Sequence, residues 1–433
     1  MNHTRSLDLL ERGRAFEADR PRKAAKAFTG AVAADPDNEP AWTALVRVLE
    51  RVGDPAHVVE LQATLTNAGV NADRLDATAR DLQRRRDLNE PAKFAEALRV
   101  TPDDPLVRSR IRNFAHLAAD RQEFRELEDA FATLPLPTHI RIETASVCNL
   151  RCQHCTTGVA YKSTDRRVMS LPMFERVLQQ LRTLPTIRTA IMYLGGEPLL
   201  NKHHATMCRR VKEESQVRTV KFVTNAMLLT QKWCDEIAAA GVESIHVSID
   251  GRSPEENDQI RVGASYGVIR DNLRMLHRTL QEAGVRTRIV IGNAVFRRPD
   301  DLMQSSVPEF ITRDFPGFKV RSGYAMVWPG MSAEDTTLDI AVYQDKPPLF
   351  CDHPFYDLGI RANGDVVLCC YDISGKHVMG NVMTDELLEL YQSEPYVAIR
   401  RAMLHHDGAA VPAICQRCVN FTGDRFLQNP MRT

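Results

Sequence analysis

The sequence predicts an α/β fold built as a partial (β/α)6 barrel, preceded by an all-α helical region and followed by a small cysteine-rich α+β extension. Three observations carry this reading. From Thr138 onward, short apolar runs of strand length alternate with amphipathic helical patterns. Before that point, Asp8 to about Leu134 is rich in Ala, Leu, Arg and Glu in helical periodicity, broken at Pro-containing turns. The cysteines, ten in all, gather mainly in two places, around residues 148–155 and 351–418. The expected division of the chain is 1–137, 138–330 and 331–433.

Length and charge set outer bounds. A chain of 433 residues is long for one domain. Lys+Arg and Asp+Glu both number 56, so no general field draws nucleic acid or an anionic membrane to the surface. The first twelve residues carry acidic and basic side chains before any apolar stretch, and no later run has the length to span a bilayer. A cytoplasmic protein is expected. Ten cysteines are too sparse for a disulfide scaffold in a chain of this size, and their clustering in a reducing compartment points to metal binding.

In the helical region, Ala31-Val32-Ala33-Ala34-Asp35-Pro36-Asp37-Asn38 is echoed by Ala97-Leu98-Arg99-Val100-Thr101-Pro102-Asp103-Asp104. The offset is close to two repeats of about 34 residues. An apolar helix face, a Pro-Asp turn and an Ala-Trp or Leu-Val helix start resemble tetratricopeptide repeats, most clearly across Ala24 to Val48. The TPR-like resemblance implies a concave surface for a peptide or protein partner; the alternative is a helical extension that covers the next domain. Pro135-Leu136-Pro137 reads as a linker.

Beyond it, the expected strands are His139–Thr144, Thr189–Leu194, Thr219–Thr224, Ser244–Ile249, Arg286–Val295 and Phe318–Met326. Helical patterns fill the gaps at Leu171–Leu184, Thr230–Ala240, Tyr266–Ala283 and Asp300–Phe315. Six such units imply a parallel sheet, which right-handed crossovers curl towards a TIM-type barrel with reactive groups at the carboxyl ends of its strands. Chemistry-bearing residues fall at those ends. Cys148, Cys152 and Cys155, at CxxxCxxC spacing, follow the first strand. Gly195-Gly196-Glu197-Pro198 follows the second, Thr224-Asn225 closes the third, and Ser248-Ile249-Asp250-Gly251 closes the fourth. Three thiolates on one loop can bind an iron–sulfur cluster and leave one iron open, whereas a zinc knuckle or three core thiols would share the spacing alone.

The CxxxCxxC loop, with His154 just before its third cysteine, followed by Gly195-Gly196-Glu197, resembles the radical S-adenosylmethionine (radical SAM) superfamily over about residues 138–328. That resemblance implies a 4Fe–4S cluster on Cys148, Cys152 and Cys155, whose fourth iron chelates S-adenosylmethionine, and a 5′-deoxyadenosyl radical formed by reductive cleavage. Gly195 and Gly196 allow close backbone approach, and Glu197 can accept from the methionine ammonium. Thr224, Asn225, Ser248 and Asp250 can bond ribose hydroxyls or the carboxylate, although Ser248 and Asp250 could equally cap the next segment. Arg261 matches a position where related enzymes often carry arginine and is a carboxylate ligand or a salt-bridge partner; His154 is placed to pack on the adenine. Cys208 and Cys234 lie in helical patterns and read as core thiols, and Tyr324, Met326 and Trp328 are pocket or core residues.

The second constellation begins at Cys351. Apolar strands flank an Asn363-Gly364 turn and deliver Cys369 and Cys370, and a distant Cys415-Gln416-Arg417-Cys418 follows a helix near Asp385–Ser393. Spacing alone does not separate structural zinc from iron–sulfur. The pattern is similar to the SPASM/twitch extension of radical SAM enzymes, which implies an auxiliary 4Fe–4S cluster on Cys351, Cys369, Cys415 and Cys418. No cysteine follows Cys418, so a shortened, twitch-like form with one such cluster is expected. Cys370 then replaces Cys369, sits buried, or donates a hydrogen atom.

The expected activity is oxidation of a substrate radical through the auxiliary cluster, with an external electron donor such as a flavodoxin or ferredoxin. Epimerisation with Cys370 as hydrogen donor is the second reading, and an inactive TPR-like adaptor the third. The substrate is a small molecule or a peptide.

Overall fold

The computed structural model describes residues 3–88, 90–126, 128–133, 135–160, 166–185, 187–296, 307–325, 351–416 and 418. The chain forms two compact units, Met1–Ala97 and Leu98–Thr433. In the first unit, helices His3–Glu17, Pro21–Ala34, Glu39–Val52, Pro55–Asn67 and Arg74–Asp87 follow one another. Small and apolar residues at helical spacing, among them Ala24, Phe28, Ala31, Leu45, Val48 and Leu61, form its core. The Pro36-Asp37-Asn38 turn is pinned at both ends: the Asn38 side chain accepts from Ala41 N at 3.1 Å, and Trp42 Nε1 donates to Pro36 O at 2.9 Å.

The second unit holds the barrel. Its strands are β1 (His139–Ile142), β2 (Ile187–Ile191), β3 (Val217–Thr224), β4 (Ser244–Ser248), β5 (Arg288–Val295) and β6 (Lys319–Tyr324), each parallel to its neighbour. Helices Leu171–Thr183, Gln231–Ala240 and Tyr266–Glu282 lie where the periodicity puts them, with Ser170 and Thr230 accepting from backbone N–H groups as N-caps and Gly241 closing a helix at φ +59°. The fourth expected helix is seen as Glu309–Asp314; residues 300–306 lie outside the described residues. Tyr324's side chain, Met326 and Trp328 also lie outside them.

The C-terminal extension continues the same sheet. β7 (Asp357–Ile360) pairs parallel with β1, and β8 (Asp365–Val367) and β9 (Val378–Asn381) follow antiparallel, giving the order β9-β8-β7-β1-β2-β3-β4-β5-β6. Gly364 makes the hairpin turn at φ +90°. The helices after Leu98 belong with this unit although their composition resembles what precedes them. Arg108 pairs with buried Asp352, Arg401 with Asp129 at 2.8 Å, and the fully buried Arg400 donates to Ala132 O at 3.1 Å. No described helix is long and apolar enough to cross a membrane.

His204, fully buried behind β3, accepts or donates to Thr144 Oγ1 at 3.0 Å and packs edge-on against Phe222. Burial lowers its pKa to about 3 from 6.5. The unfolded chain therefore takes up this proton first as pH falls, so the stability that neutral His204 contributes is whole above pH 6.5 and is lost between 6.5 and 3. In urea titrations of the apo-protein, the stability lost between pH 7.5 and pH 5 should shrink by about 2 kcal/mol in His204→Gln. An unchanged difference would remove His204 as its source.

Candidate functional site

At the carboxyl ends of β1–β6 lies a cavity of about 390 Å³. Its first wall is the loop after β1. Cys148, Cys152, His154 and Cys155 line it, and the loop is held by a short ribbon in which Cys152 pairs with Arg261. Burial pushes the Cys148 thiol up and the Cys152 thiol up to about 12, so these sulfurs become thiolates at neutral pH when a cation compensates them.

The turn after β2 clamps that loop. Gly196 stands at φ +67°, and a Cβ there would meet Ala145 O at 2.3 Å and Val147 O at 2.5 Å. Only glycine lets the two backbones approach so closely. Glu197 N donates to Val147 O at 2.7 Å, while its buried carboxylate accepts from Thr224 Oγ1 at 2.7 Å and Asn225 N at 2.8 Å. Burial raises the Glu197 pKa, and these hydrogen bonds oppose the rise. Asn225 Nδ2 continues the chain to Asn149 Oδ1 at 2.9 Å, so the ends of β1, β2 and β3 are tied together. Gly195 is the one sequence-predicted position turned away from this cavity: a Cβ there would meet Ile373 Cγ2 at 2.5 Å and Glu143 Oε1 at 2.9 Å. Its small size serves packing beneath the turn.

On the far wall, Asp250 at the end of β4 accepts from Arg261 at 2.6 Å and faces His154 Nε2 at 3.5 Å. Burial would lower the Arg261 pKa, but Asp250 overrides it and holds the guanidinium charged. Ser248 lines the same wall. His154 Nδ1 and Arg261 Nε are buried without a hydrogen-bond partner. Two residues the sequence did not single out complete the wall: Asn293 donates to Ile249 O and Gly251 O, both at 2.9 Å, and accepts from Ser322 Oγ at 2.8 Å. A polar residue inside the apolar run of β5 was the available signal.

Cys351, Cys369, Cys415 and Cys418 line a second, smaller cavity. Burial and the neighbouring cysteine sulfurs raise the Cys369 thiol well above its ordinary value, and burial raises Cys415. Cys370 does not line this cavity. Its sulfur lies 3.7 Å from His353 Nδ1, which also meets Asp357 Oδ2 at 3.1 Å, and Asp357 in turn faces Arg141 Nε at 3.2 Å. His353 and Asp357 had no motif to reveal them.

Two family models match this chain: the radical SAM superfamily over residues 142–303, and an iron–sulfur cluster-binding domain, SPASM, over residues 351–419. The chain carries a radical SAM domain and a SPASM domain. The radical SAM domain implies a 4Fe–4S cluster and S-adenosylmethionine, and the SPASM domain implies auxiliary iron–sulfur binding. The residues fit such groups: three sulfurs around one cavity, two buried polar nitrogens without a hydrogen-bond partner, and a separate set of four sulfurs. Among curated relatives, a GTP 3′,8-cyclase of Limosilactobacillus fermentum is 29% identical over 140 residues, 32% of this chain and 41% of the relative. One of Heliobacterium modesticaldum is 31% identical over 118 residues, 27% and 35% of the respective chains. The chain thus spans well under half the length of these relatives. Among solved structures, BtrN in complex with AdoMet and 2-DOIA superposes with a TM-score of 0.44 at 17% identity, covering 66% of this chain and 94% of that one. Streptococcus suis SuiB bound to S-adenosylmethionine gives 0.45 at 16% identity, with 70% and 76% covered.

The radical SAM wall depends on the Asp250–Arg261 pair. Arg261→Met leaves the Asp250 carboxylate buried without its cation and should cost about 3–5 kcal/mol of apo-protein stability. Adding Asp250→Asn should recover part of that loss in chemical denaturation; no recovery would mean that Arg261 acts by packing alone.

Proposed function

We propose that this protein is a radical SAM oxidoreductase whose substrate radical is oxidised through an auxiliary 4Fe–4S cluster. The observation that carries the reading is the separation of the cysteines into two sets, three around the large cavity and four around the small one. When bound, the two clusters and S-adenosylmethionine supply reductive formation of a 5′-deoxyadenosyl radical, hydrogen abstraction from an unactivated carbon, and an acceptor for the remaining electron.

The protein's own residues bind and orient. Cys148, Cys152 and Cys155 hold the first cluster. Glu197, already fixed by Thr224 and Asn225, presents its carboxylate to the methionine ammonium. His154 packs beside the adenine, and Ser248, Asp250 and Arg261 face the ribose and carboxylate side. Gly196 supports the same site by letting the Glu197 turn seat on the cysteine loop, with Gly195 packed below it. Cys351, Cys369, Cys415 and Cys418 hold the auxiliary cluster. A ligand shell closed by four protein sulfurs suits electron transfer. Cys370 is tied to His353 outside the lining of the large cavity, which favours oxidation over the alternative of epimerisation by a Cys370 hydrogen donor. The reductant is an external donor such as a flavodoxin or ferredoxin in a reducing cytoplasm, the substrate is a small molecule or a peptide, and the first unit with its TPR-like turn is a surface for a peptide or protein partner.

Reconstituted protein should contain about eight iron atoms per chain. Replacing Cys148, Cys152 and Cys155 by Ala should lower this to about four and abolish reductant-dependent formation of 5′-deoxyadenosine. Replacing Cys415 and Cys418 should also remove about four irons but leave that cleavage in place. About four irons with one zinc in the unmodified chain would defeat the two-cluster reading.

A further inference from the structure

The floor of the large cavity carries charge that the radical chemistry does not use. In parallel strands, side chains two residues apart share a face. Val223, Ser248 and Gly323 line the cavity, so Lys221 on β3, His246 on β4 and Arg321 on β6 point to the same interior. Arg321 itself lines the cavity. The ladder places it level with Ser248, with Gly292 between them, and a Cβ at Gly292 would meet Val247 O at 3.9 Å, so the space beside Arg321 is open. On the same ladder His246 lies two residues and Lys221 four residues nearer the amino ends than Arg321, roughly 7 and 13 Å down the strands.

These groups are poorly compensated. Among the described residues, no carboxylate stands within ion-pair distance of Lys221 or Arg321. The acid that acts on Lys221 is Asp357, and it already faces Arg141 and His353. Burial, followed by Arg141 and Arg321, lowers the Lys221 pKa to about 8; burial, Lys221, Arg321 and Arg288 lower His246 to about 4. Burial is the larger cause of both shifts, and the neighbouring cations add to it in the same direction. Lys221 and His246 are half-buried and Arg321 is exposed, so an anion can reach these charges and is drawn to them.

We propose that the floor of the large cavity binds an anionic group of the substrate, a carboxylate or a phosphate, through Arg321 and Lys221 with the His246 imidazole beside them. The proposal rests on the radical-enzyme reading for the word substrate, but the anion site is testable apart from it. Arg321 supplies a planar, two-donor contact at the open side, and Lys221 a point charge beneath it. Held there, the substrate's anionic end is anchored below the mouth, and its reacting carbon faces the cysteine loop.

The test uses the reconstituted full chain, anaerobic and loaded with S-adenosylmethionine. Reductive methylation of Lys221 is followed by peptide mass spectrometry, with exposed Lys232 as the internal reference, in the presence of pyrophosphate or glutarate at matched ionic strength. Protection of Lys221 by either probe, weakened about tenfold in concentration by Arg321→Gln, is expected. Protection by pyrophosphate alone assigns a phosphate, and by glutarate alone a carboxylate. Equal labelling with either anion and with sodium chloride overturns the proposal, as does protection unchanged in both Arg321→Gln and His246→Gln. Failure to cleave S-adenosylmethionine under reductant would overturn the radical reading while leaving the protection result to stand or fall independently.

Discussion

The carboxylate of Glu197 is the contact on which the site depends. It stands one residue after a left-handed glycine whose absent side chain makes room for the backbone of the cysteine loop. From there it binds Thr224 and the Asn225 amide, and Asn225 reaches back to Asn149. Three strand ends far apart in sequence become one rigid rim. Burial raises the Cys148 and Cys152 thiols on the loop it supports, so these two resist ionisation until a cation arrives. Preorganised sulfurs lose little entropy when they bind.

The second dependence is the β1–β7 pairing. It joins the strands that lie between Cys351 and Cys369 to the sheet whose β1 leads into the first cysteine loop. Across this seam runs a polar path in which Arg141 on β1 meets Asp357 on β7, Asp357 meets His353, and His353 meets Cys370. Burial alone would raise the Asp357 pKa, but Arg141 and His353 reverse that and hold it at about 2. Arg141 thus has a carboxylate partner in the seam, while among the described residues no carboxylate stands within ion-pair distance of Lys221 or Arg321.

Much of the barrel was legible because its signals are local. Alternating strand runs, the Ser170 and Thr230 caps and the Gly241 stop each lie within a few residues of what they control. The ends of β3, β4 and β5 fall within one residue of the expected positions, whereas β1 and β2 stop two and three residues early, at Ile142 and Ile191. Less legible was where the second unit begins. The helices after Leu98 look like those before, and Arg108, Asp129 and the Ala132 carbonyl, meeting partners hundreds of residues away, show where they pack.

The sequence by itself determined which side chains could do chemistry at the mouth, since CxxxCxxC occupies one loop and Gly-Gly-Glu one turn. It also placed Gly195 beside Gly196 without showing that one faces packing and the other the cysteine loop. Tertiary structure decided the rest: Asp250 against Arg261 and His154, Asn293 against Ser322, Cys369 with the other three sulfurs while Cys370 turns to His353, and Arg321 level with Ser248 across Gly292. The physical reason is the same throughout. These groups meet across strands, and contact between strands depends on register and pleat, which leave no fixed spacing along the chain.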